Sequence, residues 1–533
     1  MPNLACFAKI KAIMILTFYP LILAMILLGG AFIIEMYAVR LSQPLIRRFN
    51  LGLIGFALAT MISYIIITKI ILPVDVMSVI LSNWGLETVL AIQVDPSATL
   101  FFLIPLLLLT AIFIIEPSIN QTTLLAIAGA AILVFASANE FTLAHTVFFF
   151  DVIGCLYWLR KTESTLAFWR FFLGVFTAGV LALVGLFDDV VILNNMLAFM
   201  LWLRLGLYPL VETTYLSRQE TIEADDLAWI LISTVVSINL ALAVIVSLPQ
   251  IVLILTIAVM LLNAWLAWLG QTNIRLRLLR MILIQPSMAL LVVSISPQVA
   301  IIIGLIYPFA LSALWFTPLL PHTNPYTWKG KGWGIVPFLA SLALLDFPFT
   351  LGWVAFHQTY ADLLLQNQPM IITIILIAKS LALSVLYHYW LDLLNGKQEP
   401  TKMVGVAAVL IIPFLIPGLA NVIFTFITGQ TINMIPNVDV FAFNGTPYFT
   451  VFLVGILAFS FGYGRDLILN QSQIRPELVK PILNLNWFLP HAQASADVGS
   501  RLVLRLKAIL EGTNYLSWVI LIVLVRVFIV FLN

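Results

Sequence analysis

The chain has 533 residues, of which 62% are apolar and only 9% charged, with a formal net charge of +2. Soluble domains carry about 25% charged residues, so a water-surrounded globule of this length is excluded. A nucleic-acid binder is excluded too, because Lys and Arg are scattered over short segments and form no basic face. Two cysteines, Cys6 and Cys155, are too few for a disulfide framework or a cysteine-rich metal site, and Cys155, inside an apolar run, reads as packing.

A hydrocarbon core about 30 Å thick needs roughly 20 apolar residues per helix. Lys9 and Lys11 precede an apolar run that continues to Met36, too long for a signal-peptide core, so 12–36 reads as the first span. The following spans are predicted at 51–73, 99–116, 122–138, 141–159, 167–187, 190–211, 227–248, 250–270, 278–296, 299–320, 334–356, 370–394, 403–426, 447–470 and 513–532. The expectation is an all-α polytopic membrane protein of about fourteen to sixteen transmembrane helices. It divides into a transmembrane domain over 1–463, a polar segment over 464–512 and a C-terminal helix over 513–533.

The loops support this order. Arg40, Arg47 and Arg48, then Arg160 and Lys161, Arg218, the trio Arg275, Arg277 and Arg280, Lys329 and Lys331, and Lys397 and Lys402 fall in alternate loops. The 464–512 segment continues the series with Arg465, Arg475, Lys480, Arg501, Arg505 and Lys507. By the positive-inside rule these odd-numbered loops are cytoplasmic and both termini lie outside an inner (plasma) membrane, against which Lys9 and Lys11 are a minor conflict. Within the polar segment, Val498–Leu510 sets basic residues at helical spacing among apolar ones, as in a helix lying on headgroups, although an ordinary polar loop reads the same.

Charges at bilayer depth are costly unless paired or hydrated, so each marks a candidate functional position. Asp151, Arg204, Asp346 and Lys379 are the four in mid-span, joined by His145 and His388, whereas Lys69 and Arg526 lie near span ends and can snorkel. Pro209 and Pro348 follow Arg204 and Asp346 closely and predict broken helices, which expose backbone groups where ions are bound in many transporters. A plain ion pair between Asp151 and Arg204, locking two helices, is the competing reading. No phosphate-binding, hydrolytic or metal motif is present, and the adjacent Asp188 and Asp189 suit a turn. No cofactor is expected, and no catalytic residue.

Residues 85–390 resemble the antiporter-like membrane subunits of respiratory complex I, a family that includes the large subunits of Mrp-type cation/proton antiporters and of membrane-bound hydrogenases. LAIQVDPSATLFFL is similar to the opening of the family's third helix, and LLAIAGAAILVFASANEFTLAHTVFFFDVIGCLYWL to its fourth and fifth. AFMLWLRLGLYPLVETTYL resembles the broken seventh helix, GQTNIRLRLLRMILIQPSMALLVVS a later loop and helix, and LALLDFPFTLGWVAF the broken twelfth. The resemblance implies a chain of buried ionisable groups that moves protons. It aligns Asp151 with the family's glutamate and Arg204 with its first lysine, while Ser233 replaces the second lysine and Trp353 the terminal charged group.

Arginine keeps its proton in proteins and cannot act as a relay. The resemblance therefore implies a membrane subunit with a degenerate proton channel, acting mainly as a scaffold beside other membrane subunits of a respiratory, Mrp-type or hydrogenase-type complex. Two alternatives stay open: a translocator of protons or Na+ that still uses Asp151, Lys379 and His388, and a membrane-embedded enzyme acting on a lipid-linked substrate.

Overall fold

A computed structural model describes residues 16–38, 40–68, 77–83, 89–94, 96–115, 121–187, 191–216, 222–244, 248–269, 274–295, 297–316, 335–347, 350–395 and 446–471. The expectations for Cys6, Lys69, Asp188, Asp189, Pro348, the spans 403–426 and 513–532 and the surface helix Val498–Leu510 lie outside these residues.

Long apolar runs become helices because lipid offers the backbone no hydrogen bonds, and a helix satisfies every peptide group internally. In chain order they are α1 (Tyr19–Tyr37), α2 (Gln43–Ile66), α3 (Pro96–Ile115), α4 (Gln121–Phe135), α5 (Glu140–Arg160), α6 (Ser164–Val184), α7 (Val191–Leu216), α8 (Ala224–Val244) and α9 (Gln250–Leu269). There follow α10 (Ile274–Ile282), α11 (Ile284–Val293), α12 (Pro297–Phe316), α13 (Ile335–Leu344), α14 (Leu351–Leu365), α15 (Pro369–Leu383), α16 (Val385–Asn395) and α17 (Thr446–Gln471). Among the described residues nine helical stretches are long and apolar enough to cross a membrane, and three more apolar helices are shorter. The chain is a multi-pass membrane protein.

The spans deviate from the expected list in three places. Residues 278–296 form α10 and α11 in tandem, beginning at Ile274, so Arg277 and Arg280, read as loop charges, are buried helical residues. The 334–356 span divides into α13 and α14, and 370–394 into α15 and α16. A short antiparallel hairpin, β1 (Met77–Asn83) and β2 (Val89–Val94), interrupts the all-helical expectation. Its LAIQV stretch was expected to open a helix. Instead, Ala91 N–H donates to Thr142 Oγ1 (2.9 Å) and Gln93 N–H to the Ala136 carbonyl (2.8 Å), so β2 pairs with the α4–α5 connection and the helix begins at Pro96. Proline suits a first helical position, where its missing N–H would have no partner in any case.

The helices α4, α10 and α11 are enclosed on all sides. Around this centre α5 and α6 form a tight hairpin through Lys161–Glu163, where Thr162 takes a positive φ of 63°. Asn139 starts α5 by accepting the Thr142 N–H at 2.8 Å, a side-chain N-cap. That hairpin, α7 and α8 carry the first buried charge cluster; α13, α14 and α15 carry the second.

Candidate functional site

Asp151 sits in the middle of α5 and is fully buried. Arg204, on α7, grips it with two bonds: Nη1 donates to Oδ2 at 2.7 Å and Nη2 to Oδ1 at 3.1 Å, while Nη1 also donates to Thr177 Oγ1 at 3.0 Å. A third residue, absent from the sequence reading, completes the contact. Arg170 of α6 brings Nη2 to 2.6 Å from Asp151 Oδ1. The carboxylate thus lies between two guanidinium groups.

Helix spacing explains how the three meet. Gly174, one turn after Arg170, faces Asp151, and a Cβ there would come within 2.7 Å of the Asp151 Cβ. The missing side chain lets α5 and α6 close around the carboxylate. Arg170 is held from its other sides by aromatic faces, with the guanidinium carbon 4.6 Å from the Trp229 ring centre, 5.0 Å from that of Tyr208 and 5.3 Å from that of Phe150. Such cation–π contacts offset part of the charge's desolvation.

A second acid balances the second arginine. Glu212, on the far part of α7, is fully buried and lies within electrostatic reach of Arg170. Its Oε1 accepts the indole N–H of Trp229 at 2.6 Å and that of Trp158 at 3.1 Å. By formal charge, two arginines are matched by two carboxylates, and buried charges are tolerated when paired.

The helix break expected near Pro209 takes the form of a π-helical stretch, Leu203–Leu207, between two α-helical parts of α7. It holds Arg204 itself.

The second cluster forms where the chain leaves helix between α13 and α14. Asp346 adopts φ 53°, a left-handed conformation that Asp tolerates better than most residues. Its Oδ2 accepts a direct bond from Lys379 Nζ on α15, and the ammonium stands over the Phe356 ring, 3.3 Å from its centre. Thr350 opens α14 by accepting the Trp353 N–H at 3.4 Å. Gly352 keeps the two half-helices close, since a Cβ there would collide with the Ala343 carbonyl. The hydroxyls of Tyr307 and Tyr360 are buried within electrostatic reach of Asp346.

The other sequence candidates stand apart from these pairs. His145 turns Nδ1 to the Phe141 carbonyl of its own helix, at 2.8 Å. His388, on α16, faces α17, with Nε2 3.4 Å from Arg465 Nη1 and 3.6 Å from Asp466 Oδ1. Ser233 is buried on α8 and its carbonyl accepts the Ser237 hydroxyl at 2.8 Å; Trp353 is buried in the first turn of α14. Cys155 is buried.

Among the described residues, one acidic group has metal-like spacing. Glu223, Asp225 and Asp226, around the start of α8, bring carboxylate oxygens within 4.8 Å of one another. A cation already serves them: Lys161 Nζ lies 2.9 Å from Glu223 Oε2, 3.2 Å from Asp225 Oδ1 and 2.6 Å from Asp226 Oδ1. Burial alone would lower the lysine's pKa, but Asp226 and Asp225 outweigh it and hold it above the usual 10.5.

In overall shape the chain is similar to solved membrane complexes. It aligns with a chain of the Mrp complex from Dietzia sp. DQ12-45-1b at a TM-score of 0.60 and 13% identity, over 83% of this chain and 99% of that one. It aligns with a chain of respiratory complex I from Thermus thermophilus, in a structure with bound aureothin, at a TM-score of 0.55 and 16% identity, over 75% of this chain and 98% of that one. The fold is that of the antiporter-like membrane subunits. No family model matches the sequence, and no curated protein does. The fold is thus shared with these structures at low sequence identity.

Proposed function

We propose that this antiporter-like chain is a membrane subunit of a larger assembly, of the kind that the Mrp complex and complex I represent, and that its first half serves as a locked scaffold. The observation that carries this reading is the placement of Asp151 between Arg170 and Arg204. A relay must take up and release protons at accessible cost, and guanidinium groups do not. Two of them hold one carboxylate by direct contacts, so the cluster ties α5, α6 and α7 together. Its partners are other membrane subunits, with the basic loops on the cytoplasmic side of an inner membrane.

Affinity capture of the tagged full chain from native membranes in mild detergent tests the reading. Co-purifying membrane subunits in fixed ratio are expected. A chain that purifies alone as a stable, monodisperse monomer argues against it.

A second reading rests on the other cluster. Lys379 and Asp346 are both titratable residue types, buried as a pair beside a break in the helix, which is how transporters build mid-membrane ion sites. In this version protons or Na+ still cross through the second half, with His388 as a candidate neighbour. Vesicles holding the chain or its complex, under an imposed pH gradient, would then show a flux that Lys379→Ala or Asp346→Asn abolishes and Asp151→Asn reduces less. Flux unchanged by all three removes it.

A further inference from the structure

A half-open cavity of about 340 Å³, lined by no member of either charge cluster, lies where four helix ends meet. Small-molecule sites begin at about this size, roughly 300 Å³. Leu253 lines it from the first turn of α9, Leu291 and Val292 from the end of α11, Leu363 from the last turn of α14, and Ile371 and Ile375 from the start of α15. Leu291, Val292, Leu363 and Ile375 are buried, whereas the polar lining residues Ser294 and Gln366 are exposed and Gln368 half-buried. The floor is therefore aliphatic and the mouth polar.

The turn between α14 and α15 places two of these polar groups. Asn367 takes a positive φ of 53°, and the N–H groups of Asn367 and Gln368 donate to the carbonyls of Leu364 and Leu363 at 3.0 and 2.9 Å, which closes α14. Gln366 and Gln368 flank this turn, and Pro369 opens α15, where a missing N–H costs nothing. Large apolar side chains beside the lining residues stand outside the protein: Leu365 is 82% exposed, Met370 75% and Ile251 72%. In a chain that crosses a membrane, such side chains meet lipid. The cavity thus opens among lipid-facing side chains, at helix ends near one face of the bilayer.

We infer that this cavity holds one acyl chain of a membrane glycerophospholipid. Ordered water needs two to four polar partners, and the aliphatic side chains of the floor offer none; they suit a flexible alkyl chain through dispersion contacts. Among the described residues none that line the cavity is charged or aromatic, so nothing there grips a phosphate by charge or stacks on a flat ring. The side chains of Gln366, Gln368 and Ser294 are neutral donors, suited to the ester carbonyls of a glycerol backbone. A helix of another subunit, about 10–12 Å across with its side chains, is too wide for the space. The bound chain would tie α9 and α11 to α14 and α15.

The enclosure of α11 makes the test specific, because bulk lipid does not reach that helix. The full chain is placed in phosphatidylcholine vesicles with a trace of phosphatidylcholine carrying a diazirine at the end of one acyl chain, irradiated, and its labelled peptides mapped by mass spectrometry. Label is expected on Leu291 or Val292, besides lipid-facing positions such as Phe56 of α2. Ile371→Trp fills the cavity and should remove the α11 label while leaving that on Phe56; Ile295→Trp, at another lining residue, should do the same. If one variant does not fold, the other decides, and the wild-type result stands without either. Wild-type label confined to lipid-facing residues overturns the site, as does α11 label that persists in a folded variant. Label on α11 in vesicles but not in native membranes overturns it in favour of a partner's side chain.

Discussion

Arg170 Nη2 lies 2.6 Å from Asp151 Oδ1, across the α5–α6 hairpin, and adds to the two bonds that Arg204 makes to the same carboxylate from α7. The contact turns a simple pair into a bracketed anion. Removing the anion should then be worse than removing either bracket. Asp151→Asn leaves two buried guanidinium groups without their acid and is expected to cost about 3–5 kcal/mol. Replacing Asp151, Arg170 and Arg204 together by apolar residues should recover much of that loss. Thermal unfolding of wild type, Asp151→Asn, the two single arginine variants and the triple variant reads the comparison; Asp151→Asn melting with wild type would contradict it.

Gly174 and Gly179 share a helix but not a neighbourhood. A methyl at 174 meets the Asp151 side chain, whereas one at 179 has nothing within 4 Å. Gly174→Ala is expected to cost about 1–3 kcal/mol through overpacking, and Gly179→Ala to be neutral or mildly stabilising. Matched melting curves are the check.

Glu212 serves two tryptophans through one oxygen. Glu212→Leu strands both indole N–H groups in a dry interior, at about 1–3 kcal/mol for each group left unsatisfied. Glu212→Gln keeps an acceptor and should cost less, although it also removes the charge that balances Arg170. A changed tryptophan emission spectrum in the Leu variant, larger than in the Gln variant, is the expected signature.

Lys161 gives a pH dependence whose sign is fixed by geometry. Its pKa is higher in the folded chain than the usual 10.5, because Asp226 and Asp225 outweigh its burial. The stabilisation is therefore complete below 10.5 and fades as pH rises towards the folded value. Wild type should lose stability between pH 10 and pH 12 more steeply than Lys161→Met, measured by unfolding in detergent. Glu223 is 60% exposed at its side chain, so Glu223→Gln should alter stability by no more than about 1 kcal/mol.

Much of the membrane architecture is legible in the residue order, because a span declares itself by length and apolarity whatever it packs against. Asp151 and Arg204 stand out for the same reason, as lone charges in apolar runs. Arg170 does not, since Trp169 and the nearby polar residues 161–165 make it look like a span end where arginine can snorkel. Glu212 hides in VETTYL, beyond Pro209, where the run already reads as closing. Asp346 and Lys379 are each visible, but 33 residues separate them, and nothing in local pattern pairs them. The β1–β2 hairpin escaped because its LAIQV strand is as apolar as the helix after it. Burial of Arg277 and Arg280 is also invisible locally, since basic residues between apolar runs look like a loop until the third dimension closes over them.

The π-helical stretch Leu203–Leu207 also governs how this span tolerates changes in length. Along an unbroken α-helix, residues 204 and 212 would diverge by about 80° around the axis, at roughly 100° per residue. A wide turn absorbs one residue, which brings the divergence to about 20° and aims both side chains at the core shared by α5, α6 and α8. Point changes at lipid-facing sites between them should be borne easily. Inserting or deleting a single codon there would rotate Glu212 relative to Arg204 and undo the alignment, so this short tract is sensitive to its phase more than to its spelling.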